Sequence, residues 1–179
     1  MTLTLSRDYL QETIDKIVTT HLRVQVADGD LYTSAVQCVK SAFDTAEAYT
    51  NRLICPSAVV MEMTIDTTSM VELPTAPVTE VTKVMINGSE VKGVEVISNA
   101  QRAVVVLPSA PTGETMHVVV EALVGYSEET LPGTIYQAVA LMAGTFFEFT
   151  ADNNVGSVSE LPTSAKSLLN LYRIYPYGT

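Results

Sequence analysis

Few side chains in this sequence could take part in catalysis, because it contains only two histidines and two cysteines. His117 falls in a strand-like segment and shares one strand face with Glu121, so the two could form a proton-transfer pair. The sequence offers no third catalytic group beside them, and such a pattern more commonly belongs to a half-exposed strand face. His21 lies at the predicted end of a helix, where a capping or surface role is expected. The histidines therefore predict no catalytic residue.

The acidic residues and the cysteines predict no metal or cofactor site either. Glu128 and Glu129 are sequence neighbours that usually point apart, so a catalytic carboxylate dyad is not expected. The segment Asp28-Gly29-Asp30 lacks the rest of a calcium loop and is explained by helix capping. Cys38 and Cys55 lack metal-site spacing, and their number favours buried thiols over a structural disulfide. We predict that the chain is not an enzyme and uses no cofactor or metal.

The elements that would position these residues change type along the chain. Helical spacing of apolar residues predicts a first helix capped by Ser6 and a longer helix that starts near Asp30 and is ended by Pro56. From there the spacing becomes that of short strands, with a hairpin turn at Asn87-Gly88. Helical spacing returns after Leu131-Pro132 and continues in a short closing helix.

This order predicts an α+β fold, in which both chain ends form a small helical bundle and an antiparallel β subdomain is inserted between them. Neither pair of helices could bury its apolar stripe alone, so the two ends are expected to meet. We expect N-terminal helices over residues 1–55, an inserted acidic β subdomain over residues 56–127, C-terminal helices over residues 128–173 and a docking tail over residues 174–179.

Composition argues against several functional classes. Hydrophobic residues make up 47% of the 179 residues, which is too many for a disordered chain. No segment approaches the roughly 20 apolar residues of a membrane helix, and the first residues show no signal peptide. The net charge is −10, with three Lys/Arg against ten Asp/Glu in residues 56–131, which disfavours nucleic-acid binding. Such acidity serves solubility or, alternatively, a surface along which DNA passes without sticking.

The C-terminal segment is rich in the residue types that anchor protein interfaces. Domains usually end in polar residues, whereas this segment combines three tyrosines with an arginine, and such side chains dominate binding energy. The predicted interface residues are Leu171, Tyr172, Arg173, Ile174, Tyr175, Pro176 and Tyr177. The alternative is that this segment packs on its own domain.

Four segments, taken in order, carry a resemblance to a known family. They are His21-Leu22-Arg23-Val24 with Asp30-Leu31, then Ala46-Glu47-Ala48-Tyr49-Thr50-Asn51-Arg52, then Val124-Gly125-Tyr126 with Leu131-Pro132 and Ile135 through Ala138, and finally Leu161-Pro162 with Leu168-Leu169 and Tyr172-Arg173. Together they resemble the head–tail connector (adaptor, or head-completion) proteins of tailed bacteriophages.

The resemblance implies a structural virion protein at the head–tail interface, made in the host cytoplasm and without contact to a membrane. Such proteins form a ring, typically of twelve copies, beneath the portal protein; the ring extends the DNA channel and receives the tail or a stopper protein. DNA passes through the lumen without sequence-specific binding. In the family the C-terminal segment docks on the portal, which here implies residues 171–177.

Two other functions remain open on sequence grounds. A tail-completion or stopper protein at the next joint would share the acidic, ring-forming character without binding the portal. A small-ligand or glycan-binding β domain would require clustered aromatic side chains in its β region. Residues 56–125 contain no Phe, Tyr or Trp, so this last alternative is disfavoured.

Overall fold

The computed structural model describes residues 2–66, 69–99, 102–108, 115–151 and 161–174. Within these ranges the fold is α+β, as predicted. The helices are α1 (Gln11–Lys16), α2 (Asp30–Thr50), α3 (Gly133–Ala151) and α4 (Thr163–Leu169). The strands are β1 (Thr2–Arg7), β2 (Ser57–Ile65), β3 (Met70–Glu72), β4 (Val78–Ile86), β5 (Ser89–Glu90), β6 (Glu95–Ser98), β7 (Ala103–Val106) and β8 (Met116–Val124). A π-helical turn, Ile17–His21, extends α1, and 3-10 turns occur at Val26–Asp28 and Asn170–Tyr172.

The chain forms two compact units. The helical unit consists of Tyr9–Ile54 and Ser127–Arg173, so it is built from two separated parts of the sequence. The β unit contains Met1–Asp8, Cys55–Tyr126 and Ile174. The described chain therefore passes from one unit to the other four times, after Asp8, Ile54, Tyr126 and Arg173.

The strands of the β unit form two antiparallel sheets. One sheet has the order β1-β2-β8-β4-β5 and the other the order β3-β7-β6. Strand β8 lies in the middle of the first sheet, and Met116, Val118 and Val120 are buried on one of its faces. His117 is exposed on the opposite face, as its alternation with these apolar residues predicts.

The predicted hairpin turn is confirmed. Asn87 and Gly88 have φ values of 49° and 81°, and a type I′ turn requires positive φ at both central residues. The Asn87 side-chain oxygen also accepts a hydrogen bond from the backbone N–H of His117 at 2.9 Å. This side chain thus connects the hairpin turn to the central strand.

The prediction for the first residues is wrong. Ser6 lies in strand β1 and does not cap a helix; the first helix begins only at Gln11. Thr and Leu alternate over residues 2–5, which is a strand pattern, and Thr4 is paired with Val59 of β2. Residues 2–7 therefore belong to a sheet rather than to the expected N-terminal helices, because the edge of β2 offers backbone hydrogen-bond partners.

The long helix ends earlier than predicted. Asn51 adopts the left-handed conformation, with φ 53° and ψ 37°, and terminates α2 five positions before Pro56. Asn tolerates this conformation at helix ends better than most residues. At the other end, the Asp28 carboxylate accepts the backbone N–H of Gln25 at 2.6 Å and caps the 3-10 turn that precedes α2.

The helical unit buries one continuous apolar stripe from each helix. The fully buried side chains include Ile14, Ile17, Val39, Phe43, Ile135, Met142 and Leu169. Two large apolar residues of α2 and α3 remain outside this core, since Leu31 is 49% and Phe149 is 44% exposed. Both lie near a helix end, where fewer neighbouring elements are present to cover them.

Candidate interaction surface

The side chains considered for catalysis are dispersed in the structure. Glu121 faces Lys83 on the neighbouring strand, with 4.0 Å between the carboxylate and the ammonium group. The ring of His21 lies 5.6 Å from that of Tyr136 in an edge-on arrangement. Among the described residues, no three His, Cys, Asp or Glu side chains converge on a point where a metal ion could bind. Cys38 and Cys55 are buried and are not joined in a disulfide.

The C-terminal residues predicted to form an interface follow α4 as a 3-10 turn, in which successive side chains point in different directions. The Tyr172 hydroxyl lies 2.6 Å from the hydroxyl oxygen of Thr134 at the start of α3. Its ring lies 5.8 Å from the guanidinium carbon of Arg52, and Arg52 is only 3% exposed. Tyr172 therefore packs on its own unit.

Arg173 also contacts the helical unit. Its guanidinium carbon lies 5.1 Å from the ring centroid of Tyr49, a distance at which a cation and an aromatic face attract each other. The Tyr49 hydroxyl in turn donates to the side-chain oxygen of Asn170 at 2.7 Å. Two aromatic residues, Tyr49 and Tyr172, thus hold this turn against α2 and α3.

Leu171 has a different environment from the other apolar and aromatic residues of this segment. Its side chain is 63% exposed, whereas Tyr172 and Ile174 are half-buried. The remaining predicted interface residues, Tyr175, Pro176 and Tyr177, lie outside the residues that the structure describes. Within the described part of this segment, Leu171 offers its apolar side chain to solvent and the next two residues fix the backbone that carries it.

Glu128 has a role that the sequence did not reveal. Its carboxylate accepts hydrogen bonds from the backbone N–H groups of Glu12 and Thr13, at 2.9 and 3.1 Å, and from the Thr13 hydroxyl. Leu10 occupies the N-cap position of α1 and supplies no side-chain hydrogen bond, so Glu128 replaces the missing cap. The only signal in the sequence is a helix start without Ser, Thr, Asp or Asn at the cap.

An open pocket of about 340 Å³ lies beside this capping carboxylate. Its lining consists of Glu12, Thr13, Lys16, Glu128, Leu131, Gly133 and Tyr136. The Tyr136 hydroxyl is buried and has no hydrogen-bond partner among the described residues, and burial raises the pKa of this phenol. The Lys16 ammonium lies 5.5 Å from the centre of the same ring. The pocket lining combines charged groups with an aromatic ring.

Hydropathy gives no membrane segment in the described chain: none of its helices combines the length and the apolar character needed to span a bilayer.

Comparison with known proteins gives a result for the fold only. Neither the protein-family models nor the curated proteins give a match. Among solved structures, the chain is similar to a chain in the neck of an empty gene transfer agent (GTA) particle computed with C6 symmetry, with 21% identity and a TM-score of 0.70. It is similar to a chain in the virion of a native GTA particle, with 19% identity and a TM-score of 0.71.

A third similar chain comes from the neck of a native GTA particle computed with C12 symmetry, with 20% identity and a TM-score of 0.63. All three alignments cover 98% of this chain and 96% of the other. The β unit and the helical unit are therefore both included, and little of either chain is left over. The chain has the fold of these GTA neck and virion proteins, in agreement with the fold expected from the resemblance to head–tail connectors.

Proposed function

We propose that this chain is a structural protein of the neck of a phage-like particle, and that it acts as a head–tail adaptor. The observation that carries the proposal is the shared fold, which extends over 98% of this chain. Both units take part in this similarity. In this proposal the protein is not an enzyme.

The proposed assembly is a ring of twelve copies beneath the portal protein, located in the virion after synthesis in the host cytoplasm. The ring extends the DNA channel and offers a surface to the tail or to a stopper protein. The net charge of −10 supports the passage of DNA, because a negatively charged surface does not retain phosphate groups. The similar structures are of particle necks computed with C6 and C12 symmetry, and both symmetries are compatible with this stoichiometry.

We propose that the C-terminal segment, residues 171–177, docks on the portal. The contacts of Tyr172 with Thr134 and Arg52 support a divided role for this segment. Tyr172 and Arg173 would fix the turn, and Leu171, 63% exposed, would enter an apolar pocket of the partner. A preformed turn lowers the conformational entropy lost on binding.

Co-sedimentation with portal rings from the same genome tests the proposal. The full-length chain is expected to bind, and a chain lacking residues 174–179, which keeps Tyr172 and Arg173, is expected to bind much less. Leu171→Ala should cost about 1–3 kcal/mol of binding free energy, which corresponds to roughly 5- to 150-fold. Leu5→Ala is the matched control, because Leu5 is 62% exposed and lies in the β unit.

Two results would contradict parts of this proposal. Full portal binding by the chain that lacks residues 174–179 and carries Leu171→Ala would exclude the C-terminal segment as the anchor. Failure of the folded full-length chain to bind any portal, together with binding to tail proteins, would favour a stopper or tail-completion protein at the next joint.

A further inference from the structure

Strand β6 lies at one edge of the three-stranded sheet, whose order is β3-β7-β6. Residues Glu95 to Ser98 are paired with β7 on one side only, and all four are exposed. Proteins usually protect such an edge with a charged side chain, most often lysine, with a proline, with a bulge or by keeping the strand very short. Strand β6 is four residues long and carries Glu95, but it has no lysine or proline, and its pairing with β7 has no irregularity.

The hairpin geometry shows which backbone groups of β6 point away from the sheet. The N–H of Asn99 donates to the carbonyl of Arg102 at 2.9 Å, so these two residues form a hydrogen-bonded pair. Hydrogen-bonded and non-hydrogen-bonded pairs alternate in an antiparallel ladder. Ile97 therefore bonds to β7, and the N–H and C=O groups of Val96 and Ser98 point outward. Among the described residues, neither backbone has a hydrogen-bond partner on this outer side.

The Ser98 hydroxyl accepts a hydrogen bond from the backbone N–H of Val78 at 2.9 Å, so the start of β4 contacts one end of β6. The two apolar side chains of β6, in contrast, are only partly covered by the described residues. Val96 lies on the same face as Val71 and Val105, which are 1% and 0% exposed, yet Val96 itself is 37% exposed. Ile97 lies on the opposite face and is 52% exposed. A single additional strand would cover both side chains, because each would gain a cross-strand neighbour on its own face.

Charge limits which strand can bind there. Residues 55–126 carry eight Asp/Glu and three Lys/Arg, a net charge of −5. Glu95 is exposed on β6 itself, and the cation on the adjoining β-hairpin, Arg102, is already bonded to Glu72 through two nitrogens, at 2.8 and 3.0 Å. Lys92 is the nearest cation before β6 in sequence. An acidic strand, including the β unit of a second copy, would be repelled, whereas a basic residue opposite Glu95 would be attracted.

We propose that the outer edge of β6 binds an extended, neutral-to-basic segment of a partner protein, which pairs antiparallel with residues 95–98. The partner places a Lys or Arg opposite Glu95 and apolar residues opposite Val96 and Ile97. This inference does not depend on the neck assignment, because it follows from the unpaired edge, its exposed apolar side chains and its charge. The mode is β-strand addition, in which backbone bonds give affinity and alternate side chains give specificity.

The full chain can be tested with a blocked hexapeptide of sequence TTIVKT, which in antiparallel register sets Thr opposite Ser98, Ile opposite Ile97, Val opposite Val96 and Lys opposite Glu95. We expect slower hydrogen exchange at the Val96 amide and shifted NMR signals confined to β6 and its neighbours.

The peptide TTIVET should bind roughly fivefold more weakly than TTIVKT, and Glu95→Lys should reverse this preference. Ile97→Thr should weaken binding of TTIVKT two- to fivefold, roughly. Leu123→Thr, at a 41% exposed leucine on the interior strand β8, should leave it unchanged.

Backbone methylation of the peptide separates strand addition from simple apolar adhesion. N-methylation of the peptide Val removes the donor that faces Val96 and should reduce affinity about tenfold or more, whereas N-methylation of the Ile, whose N–H points away, should be tolerated. Equal effects of the two methylations would overturn the proposal, as would absence of binding by the folded chain. Concentration-dependent self-association that Ile97→Thr abolishes would identify a second copy as the occupant and would also overturn it.

Discussion

Removing the capping carboxylate at the start of α1 should weaken the helical unit, although the residue lies far away in sequence. Glu128→Gln retains the size of the side chain but replaces one acceptor oxygen with an amide nitrogen. In the folded protein the two oxygens accept from the N–H groups of Glu12 and Thr13 at 2.9 and 3.1 Å. Glutamine can satisfy only one of these two donors, and its nitrogen cannot accept from the other.

The size of the effect follows from these contacts. A hydrogen bond to a charged group contributes about 1.5–3 kcal/mol, and the lower end applies here because the site is only partly buried. Loss of the negative charge at a helix N-terminus adds roughly 0.3–1 kcal/mol. We therefore expect Glu128→Gln to lower the free energy of unfolding by about 2 kcal/mol, which corresponds to roughly 4–8 °C in Tm for a chain of this size.

Urea unfolding followed by circular dichroism at a helical wavelength measures this change. Glu129→Gln is the matched control, because Glu129 is the adjacent acid and is exposed; it should change the free energy of unfolding by less than about 0.5 kcal/mol. If the two variants were equally stable, Glu128 could not be the cap of α1. Added salt should reduce the difference in the free energy of unfolding between Glu128→Gln and the wild type, because salt screens the attraction between the carboxylate and the helix dipole.

Three further changes have defined outcomes. Gly125→Ala should destabilise the β unit by about 3 kcal/mol or more in urea unfolding, because residue 125 has φ 99° and the new Cβ would lie 2.4 Å from the Cys55 carbonyl oxygen; wild-type stability would contradict this. Tyr136→Phe should raise the free energy of unfolding by roughly 1 kcal/mol, since it removes a buried hydroxyl without a partner among the described residues. The raised pKa of Tyr136 means that the folded state favours the protonated phenol. This preference is fully expressed in the free energy of unfolding below the usual phenol pKa, and it is lost as the pH rises through the pKa of Tyr136 in the folded state. The phenylalanine variant should therefore lose less stability than the wild type as the pH rises above the usual phenol pKa of about 10. An equal loss of stability in the two proteins would contradict this reasoning. Asn87→Ala should lower the free energy of unfolding by about 1–2 kcal/mol, because alanine tolerates positive φ less well and the hydrogen bond to the His117 N–H is lost. Thermal unfolding with no shift in Tm would contradict this prediction.

Local signals in the sequence were sufficient for the central elements. Asn87-Gly88 specifies a hairpin turn because few residues accept positive φ at two successive positions. The alternation around His117 specifies which face of β8 is buried, since successive side chains of a strand point to opposite faces. The long stripe that includes Val39 and Phe43 specifies a helix with one buried side. Each of these signals lies within a few residues.

The edge strands and the candidate surface could not be predicted in the same way. Residues 2–7 become a strand because β2 provides a pairing edge, and the short β3 depends in the same manner on β7. Composition marked residues 171–177 as interface-like, but it could not separate Leu171, which is exposed, from Tyr172, which bonds to Thr134. That distinction depends on partners about 40 positions away or more.

Residue types and periodicity within short segments were sufficient to predict the α+β class, the order of helices and strands from α1 onward and the lack of a recognisable catalytic motif. The long-range pairs depend on tertiary packing. Packing brought Glu128 to the start of α1, 116 residues away, left one side of β6 without a paired strand among the described residues and turned Leu171 outward. These outcomes depend on which backbone and side-chain groups come into contact when the chain packs. A pattern within a short segment does not predict contacts between residues that are distant in the sequence.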